Sequence, residues 1–152
     1  MVMAMKQLRT QLSAIEPDDS TYRGVGASEV GLLGLLVAGG ESWLAARAVH
    51  ALSRIDAESA YAVLLAAGDD TRPEVRVAVA ASARALPPNV SDELLFALLG
   101  DLDAGVRKFA IKSVSDRNSV QVKDRLREAA TTEPSSALRD VAIAKATSLQ
   151  AY

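Results

Sequence analysis

The stretch that decides the fold is Gly105-Val106-Arg107-Lys108-Phe109-Ala110-Ile111-Lys112, because the chain contains it more than once. Related copies read Pro73-Glu74-Val75-Arg76-Val77-Ala78-Val79-Ala80-Ala81 and Ala137-Leu138-Arg139-Asp140-Val141-Ala142-Ile143-Ala144-Lys145. Aligning Val75, Val106 and Leu138 brings Val79, Ala110 and Ala142 into step four residues on, and Ala80, Ile111 and Ile143 five residues on. Apolar positions at these offsets mark one face of a helix. The interval from Val75 to Val106 is within one residue of that from Val106 to Leu138. A nearly fixed period of about 31 residues predicts a stacked array of helical units.

A second row keeps the same period. Leu33, Leu64, Leu95 and Leu126 are evenly spaced at that interval and fall in the second helix of each expected pair. Glu41 to Ile55 reads as a diverged copy, with Leu44 placed one such interval before Val75. A helix pair repeated in this way cannot bury its apolar stripe alone, so neighbours must stack. The expected class is all-α, with about four helix pairs and a C-terminal helix. The expected organisation is a single domain over 1–152, with units at about 4–38, 41–67, 72–99 and 104–130 and a terminal helix at 135–150.

Local signals set the expected helix ends. Met5, Leu8, Leu12 and Ile15 share one face of the first helix. Ser28 and Asp56 are candidate N-caps, as are Ser91, Asn118 and Ser119. Pro87-Pro88 is expected to end the helix begun at Pro73, and the next helix to run from Ser91 to Leu99. Gly31 and Gly34 inside a Leu-rich helix predict close approach of a neighbouring helix. Trp43 is expected to fill space beside the loop from Thr21 to Gly26.

An acid stands six residues ahead of an Arg in three units: Asp70 with Arg76, Asp101 with Arg107, and Glu133 with Arg139. A turn with an acid, then a Pro or small residue, then an apolar residue and Arg opening an Ala-rich helix, resembles HEAT repeats. The short bacterial repeats of the phycobilisome-lyase type are the nearest likeness, covering roughly Glu41 to Leu149. The resemblance implies a right-handed α-α superhelix, with second helices lining a concave binding face. The six acid and Arg residues are read as fixing repeat stacking. In the first full unit Ala45 takes the place of the Arg and Gly39 that of the acid, and Arg47 is out of register.

Composition narrows the function. The net charge of −2 gives no electrostatic pull towards nucleic acid. The chain has no Cys, which rules out disulfides and thiolate metal sites. Met1 to Lys6 lacks the apolar core of a signal peptide. The most apolar run, Val30 to Gly39, is about half the length of a bilayer span. A cytoplasmic protein with no membrane partner is expected.

No residue pattern points to catalysis, a metal or a cofactor. His50, the only histidine, has no ligand partner three or four residues away. Gly24-Val25-Gly26 lacks the flanks of a phosphate loop. The carboxylate pairs Asp18-Asp19, Asp69-Asp70 and Asp101/Asp103 fall in turns, where Asp caps helices. The expected role is therefore a small intracellular protein–protein interaction module (a scaffold, adaptor or regulator), and not an enzyme. Two equivalent rows on the second helices are its candidate contacts: Tyr61, Asp92 and Lys123, and Ala62, Glu93 and Asp124, with Arg127 alongside. The alternative reading is an accessory or enzyme of the bilin-lyase or DNA-repair glycosylase type. The last helix has no following partner, so Leu138, Ala142, Ile143 and Ala146 are expected to pack inward. Val141, Ala144 and Leu149 would be left for a second chain, either another copy or a different protein.

Overall fold

The computed structural model describes residues 3–14 and 16–149. Among these the regular structure is helical, with no strand. The α-helices are α1 (Met5–Leu12), α2 (Val30–Ala38), α3 (Ser42–Ser53), α4 (Glu58–Ala67), α5 (Pro73–Ser82), α6 (Pro88–Leu98), α7 (Ala104–Ser113), α8 (Val120–Thr132) and α9 (Ser136–Ser148). Short 3-10 turns occur at Asp19–Tyr22, Ala27–Glu29 and Ala83–Ala85. Ile15 and Gln150, expected at the ends of the first and last helices, lie outside the described residues.

The chain forms two compact units, Met1–Ala78 and Val79–Tyr152, and α5 runs through the boundary. In the first unit, α1 packs on α3, and α2 packs on α3 and α4. In the second, α6 packs on α7, α8 and the turn Ala83–Ala85, while α9 packs on α7 and α8.

The periodic apolar rows supply the core of each unit. Leu33 and Leu64 in the first, and Leu95 and Leu126 in the second, are fully buried. Each such side chain contributes about 1.5–3 kcal/mol through removal from water. Val75, Val79, Val106, Ala110 and Ala142 are fully buried as well, and Leu138 nearly so. Ile143 breaks the third row. It is 49% exposed, although its counterparts Ala80 and Ile111 are buried. No α-helix follows α9 among the described residues to cover that side.

Helix starts follow local chemistry, with some corrections. Asp103, Ser119 and Ser135 cap α7, α8 and α9 by accepting from the backbone N–H three residues on. α6 starts at Pro88, not at a Ser91 cap. Pro87 is its N-cap, and proline at the first helical position loses no hydrogen bond and has φ already set. The proline pair therefore opens a helix, and Ser91 is buried inside it. Asp56 does not cap α4. Ala57 stands at its N-cap position with no side-chain cap bond, while the Asp56 carboxylate accepts the Tyr61 hydroxyl at 2.7 Å. Ser28 lies in the 3-10 turn before α2, where the Glu29 carboxylate accepts the Gly26 N–H at 2.9 Å.

Three spatial expectations also change. A Cβ on Gly31 would meet nothing within 4 Å, and one on Gly34 only Val63 Cγ2 at 3.9 Å. Neither glycine marks a close helix approach. Trp43 is 52% exposed, so it does not plug the gap beside Thr21 to Gly26. Gly24 in that loop has φ +74°, the left-handed region that glycine enters without a Cβ penalty.

Candidate protein-binding surface

The acid–Arg pairs meet through the backbone. Arg76 Nη1 donates to the Asp70 carbonyl at 2.8 Å, Arg107 Nη1 to the Asp101 carbonyl at 2.9 Å, and Arg139 Nη1 to the Glu133 carbonyl at 2.8 Å. The sixfold offset thus places each guanidinium on a carbonyl of the turn before its own helix. Two of the carboxylates bind other arginines. Asp70 accepts from Arg72 Nε and Nη2 and from the Arg72 backbone N–H. Glu133 accepts from Arg107 Nε and Nη2. The Arg72 hydrogen bonds hold the Asp70 carboxyl below its ordinary value.

Arginines outside that pattern make comparable ties. Arg72 Nη2 and Nη1 donate to the carbonyls of Val37 and Gly39, both at 2.6 Å. Arg47 Nη1 donates to the carbonyls of Leu12 and Ala14. Arg117 donates to those of Arg84 and Leu86, each at 3.2 Å. Each of the three binds two carbonyls at a helix end 31 to 35 residues earlier. The last carbonyls of a helix lack intrahelical partners, and a planar fork of donors suits two of them at once. Arg47, read as out of register, therefore ties the end of α1 to α3.

The two candidate rows separate. Ala62, Glu93 and Asp124 are exposed, as expected. Tyr61 and Lys123 are only 8% exposed, so their row does not offer the contact surface expected of it. Asp92 is half-buried. It accepts from Asn118 Nδ2 at 2.9 Å and the Ser119 N–H at 3.0 Å, anchoring the start of α8. Lys123 Nζ donates to the Asp116 carbonyl at 3.0 Å. Helix geometry explains the split. Tyr61, Asp92 and Lys123 precede the buried Leu row by three residues and so share its side, whereas a two-residue offset points away. Asp124 lies 3.6 Å from Arg127, an ion pair along α8.

The sequence reading missed a further exposed row. Leu35, Ala66, Ala97 and Glu128 are exposed, and each follows its buried Leu by two residues. The signal was present in the same repeat period. In the first unit the exposed positions at both offsets are Gly31, Leu35, Ala62 and Ala66; in the second they are Glu93, Ala97, Asp124 and Glu128.

Two concavities adjoin these positions. In the first unit a groove of ≈ 440 Å³ runs between α2 and α4. In the second, a polar cavity of ≈ 310 Å³ has Arg107 and Glu133 in its wall, bonded to each other, with Arg125 stacked 4.5 Å from the Phe96 ring centre. His50 is held below its ordinary pKa by burial and by the positive charge of Arg47. Among the described residues no group of three or more His, Cys, Asp or Glu is placed to hold a metal ion. No helix among them is long and apolar enough to cross a membrane. Comparison with protein-family models and with curated proteins finds no match to this chain.

Proposed function

We propose that the chain is a single HEAT-like domain, a right-handed superhelical array whose second helices bind a partner protein. The supporting observation is the regular exposure of Ala62, Glu93 and Asp124, and of Leu35, Ala66, Ala97 and Glu128, beside the fully buried Leu row. Core positions carry the fold, so the outward positions two residues away are open to change without loss of packing. Repeated units that keep one face constant inside and vary it outside suit recognition of an extended partner surface. The role assigned is that of an intracellular scaffold, adaptor or regulator.

The test is crosslinking and affinity capture of the tagged full chain in its native host, read by mass spectrometry against a double variant. Glu93→Lys with Asp124→Lys reverses two exposed charges and leaves the Asp92 hydrogen bonds in place. A partner captured by the wild type and lost by the variant, at unchanged melting temperature, supports the reading. Equal recovery by both proteins, or no specific recovery by the wild type, contradicts it.

A further inference from the structure

The outward face of the second helices changes character along the chain. α2 contains no charged residue between Val30 and Ala38 and exposes Gly31, Leu35 and Ala38. Leu35 is 64% exposed. The adjoining face of α4 exposes Ala62 and Ala66. Three of the four register-equivalent positions of the second unit carry acids, Glu93, Asp124 and Glu128, and the fourth is Ala97. The groove between α2 and α4 is floored by Gly34, Val37, Val63 and Ala67 and flanked by the exposed alanines.

Asp70 lines this groove, and two further acids stand beyond the two ends of its α4 wall. Exposed Glu58 opens α4, and exposed Asp69 stands just beyond its last residue. Arg72, the cation nearest the far end in sequence, is bonded to Asp70 and to the Val37 and Gly39 carbonyls. That fork also fixes direction: it joins the turn after α4 to the last residues of α2, so both helices end on the same side. The C-terminus of α4 adds negative potential beside Asp69, while Arg72 occupies that of α2.

We infer that the α2–α4 groove seats an amphipathic helix of a partner protein, with an aliphatic ridge flanked by Lys or Arg. The inference rests on the binding-module reading and specifies its partner. Two side-by-side helices leave a furrow into which the side-chain ridge of a third helix packs. Both backbones are hydrogen-bonded within their helices, so an added strand would find no edge. The carboxylates of Glu58 and Asp69 favour basic flanks and disfavour acidic ones, which sets partner choice.

The experiment titrates the full chain into two labelled synthetic helical peptides of about five turns, ~18 residues. They share one Leu/Ala ridge, flanked by Lys in one and Glu in the other. The expected result is anisotropy showing the Lys peptide bound at least about tenfold tighter than its Glu twin, with binding weakened by salt. Ala38→Asp and Ala66→Lys, both at exposed lining positions, each reduce it by about tenfold or more. Ala97→Lys, the register-equivalent change on α6, leaves it unchanged. All three sites are exposed, and circular dichroism confirms folding. Amide shift mapping on the wild type places the bound peptide on α2 and α4.

Absence of Lys-peptide binding, equal binding of the two peptides, or equal loss from Ala97→Lys overturns the inference. A wild-type dimer dissolved by Ala38→Asp, with neither peptide bound, assigns the groove to a second copy and also overturns it. Peptide failure alongside successful Glu93/Asp124-dependent capture removes the groove but keeps the module. Failed capture with groove-specific peptide binding has the opposite meaning.

Discussion

Arg107 Nη2 stands 2.8 Å from Glu133 Oε1, across 26 residues of sequence, while its Nη1 holds the carbonyl of Asp101 at 2.9 Å. The Glu133 side chain is 3% exposed and that of Arg107 16%. One guanidinium thus joins the turn before α7 to the turn between α8 and α9. The expected cost of Arg107→Ala is about 3–5 kcal/mol, because it leaves a carboxylate buried without its partner. Arg107→Met with Glu133→Leu should cost far less than that single change. Chemical denaturation of the single and double variants checks both statements; equal losses would show that the pair itself, and not the orphaned charge, carries the effect.

Arg72 makes a comparable tie in the first unit. Arg72→Ala removes two charge-assisted bonds to carbonyls and the partner of Asp70. A loss of roughly 2–4 kcal/mol is expected from bonds of this kind. Arg72→Lys should recover less than half of it, since an ammonium lacks the fork that meets two carbonyls and a carboxylate together. Urea melts of the three proteins decide this, and full recovery by Lys would count against the fork.

Two groups set tests of pH in separate windows. The Asp70 carboxyl is lowered from 3.8 by the Arg72 hydrogen bonds. Its folded form therefore binds a proton less readily than the unfolded chain. That contribution is complete above the ordinary carboxylate value and fades as pH falls through the lowered one. Asp70→Asn should be less stable than wild type at neutral pH, with the gap narrowing in acid. His50 is lowered from 6.5, chiefly by burial. The unfolded chain then takes up its proton first, so stability falls as pH drops below 6.5 towards the folded value. His50→Gln should remove that decline, as read by melting temperature across mildly acidic buffers.

Leu95 and Leu102 differ only in placement. Leu95 is fully buried and Leu102 is 98% exposed in the turn before α7. Leu95→Ala should cost about 2–5 kcal/mol through lost burial and the cavity left behind. Leu102→Ala should stay within about 0.5 kcal/mol. A large effect at Leu102 in the isolated chain would mean that it is covered in solution.

The helical class, the buried Leu row and the starts of the last two helices were legible because they depend on spacing and capping along one chain. Leu33, Leu64, Leu95 and Leu126 recur at one constant interval, and all are fully buried. Ser119 and Ser135 cap the helices that follow them. Asp56 and Ser91 have the right chemistry for caps, but packing draws Asp56 to the Tyr61 hydroxyl and buries Ser91 inside α6. The candidate surface was half legible. Glu93 and Asp124 face outward, whereas Tyr61 and Lys123 share the core side because they precede the Leu row by three residues. Ile143 matched the apolar pattern yet remains half-exposed, since a periodic position is buried only where another element covers it.

Sequence alone determined which side of each helix is apolar, because that follows from the order of residues and the helical turn. Only the tertiary structure decided where the arginines bind. Asp70 and Arg76 are six apart in sequence, but the bond runs to the Asp70 carbonyl, and the Asp70 carboxylate goes to Arg72. Arg47, Arg72 and Arg117 find their carbonyls 31 to 35 residues away. A long side chain with five donors satisfies whichever acceptors packing brings within about 3 Å, and residue spacing does not encode that choice.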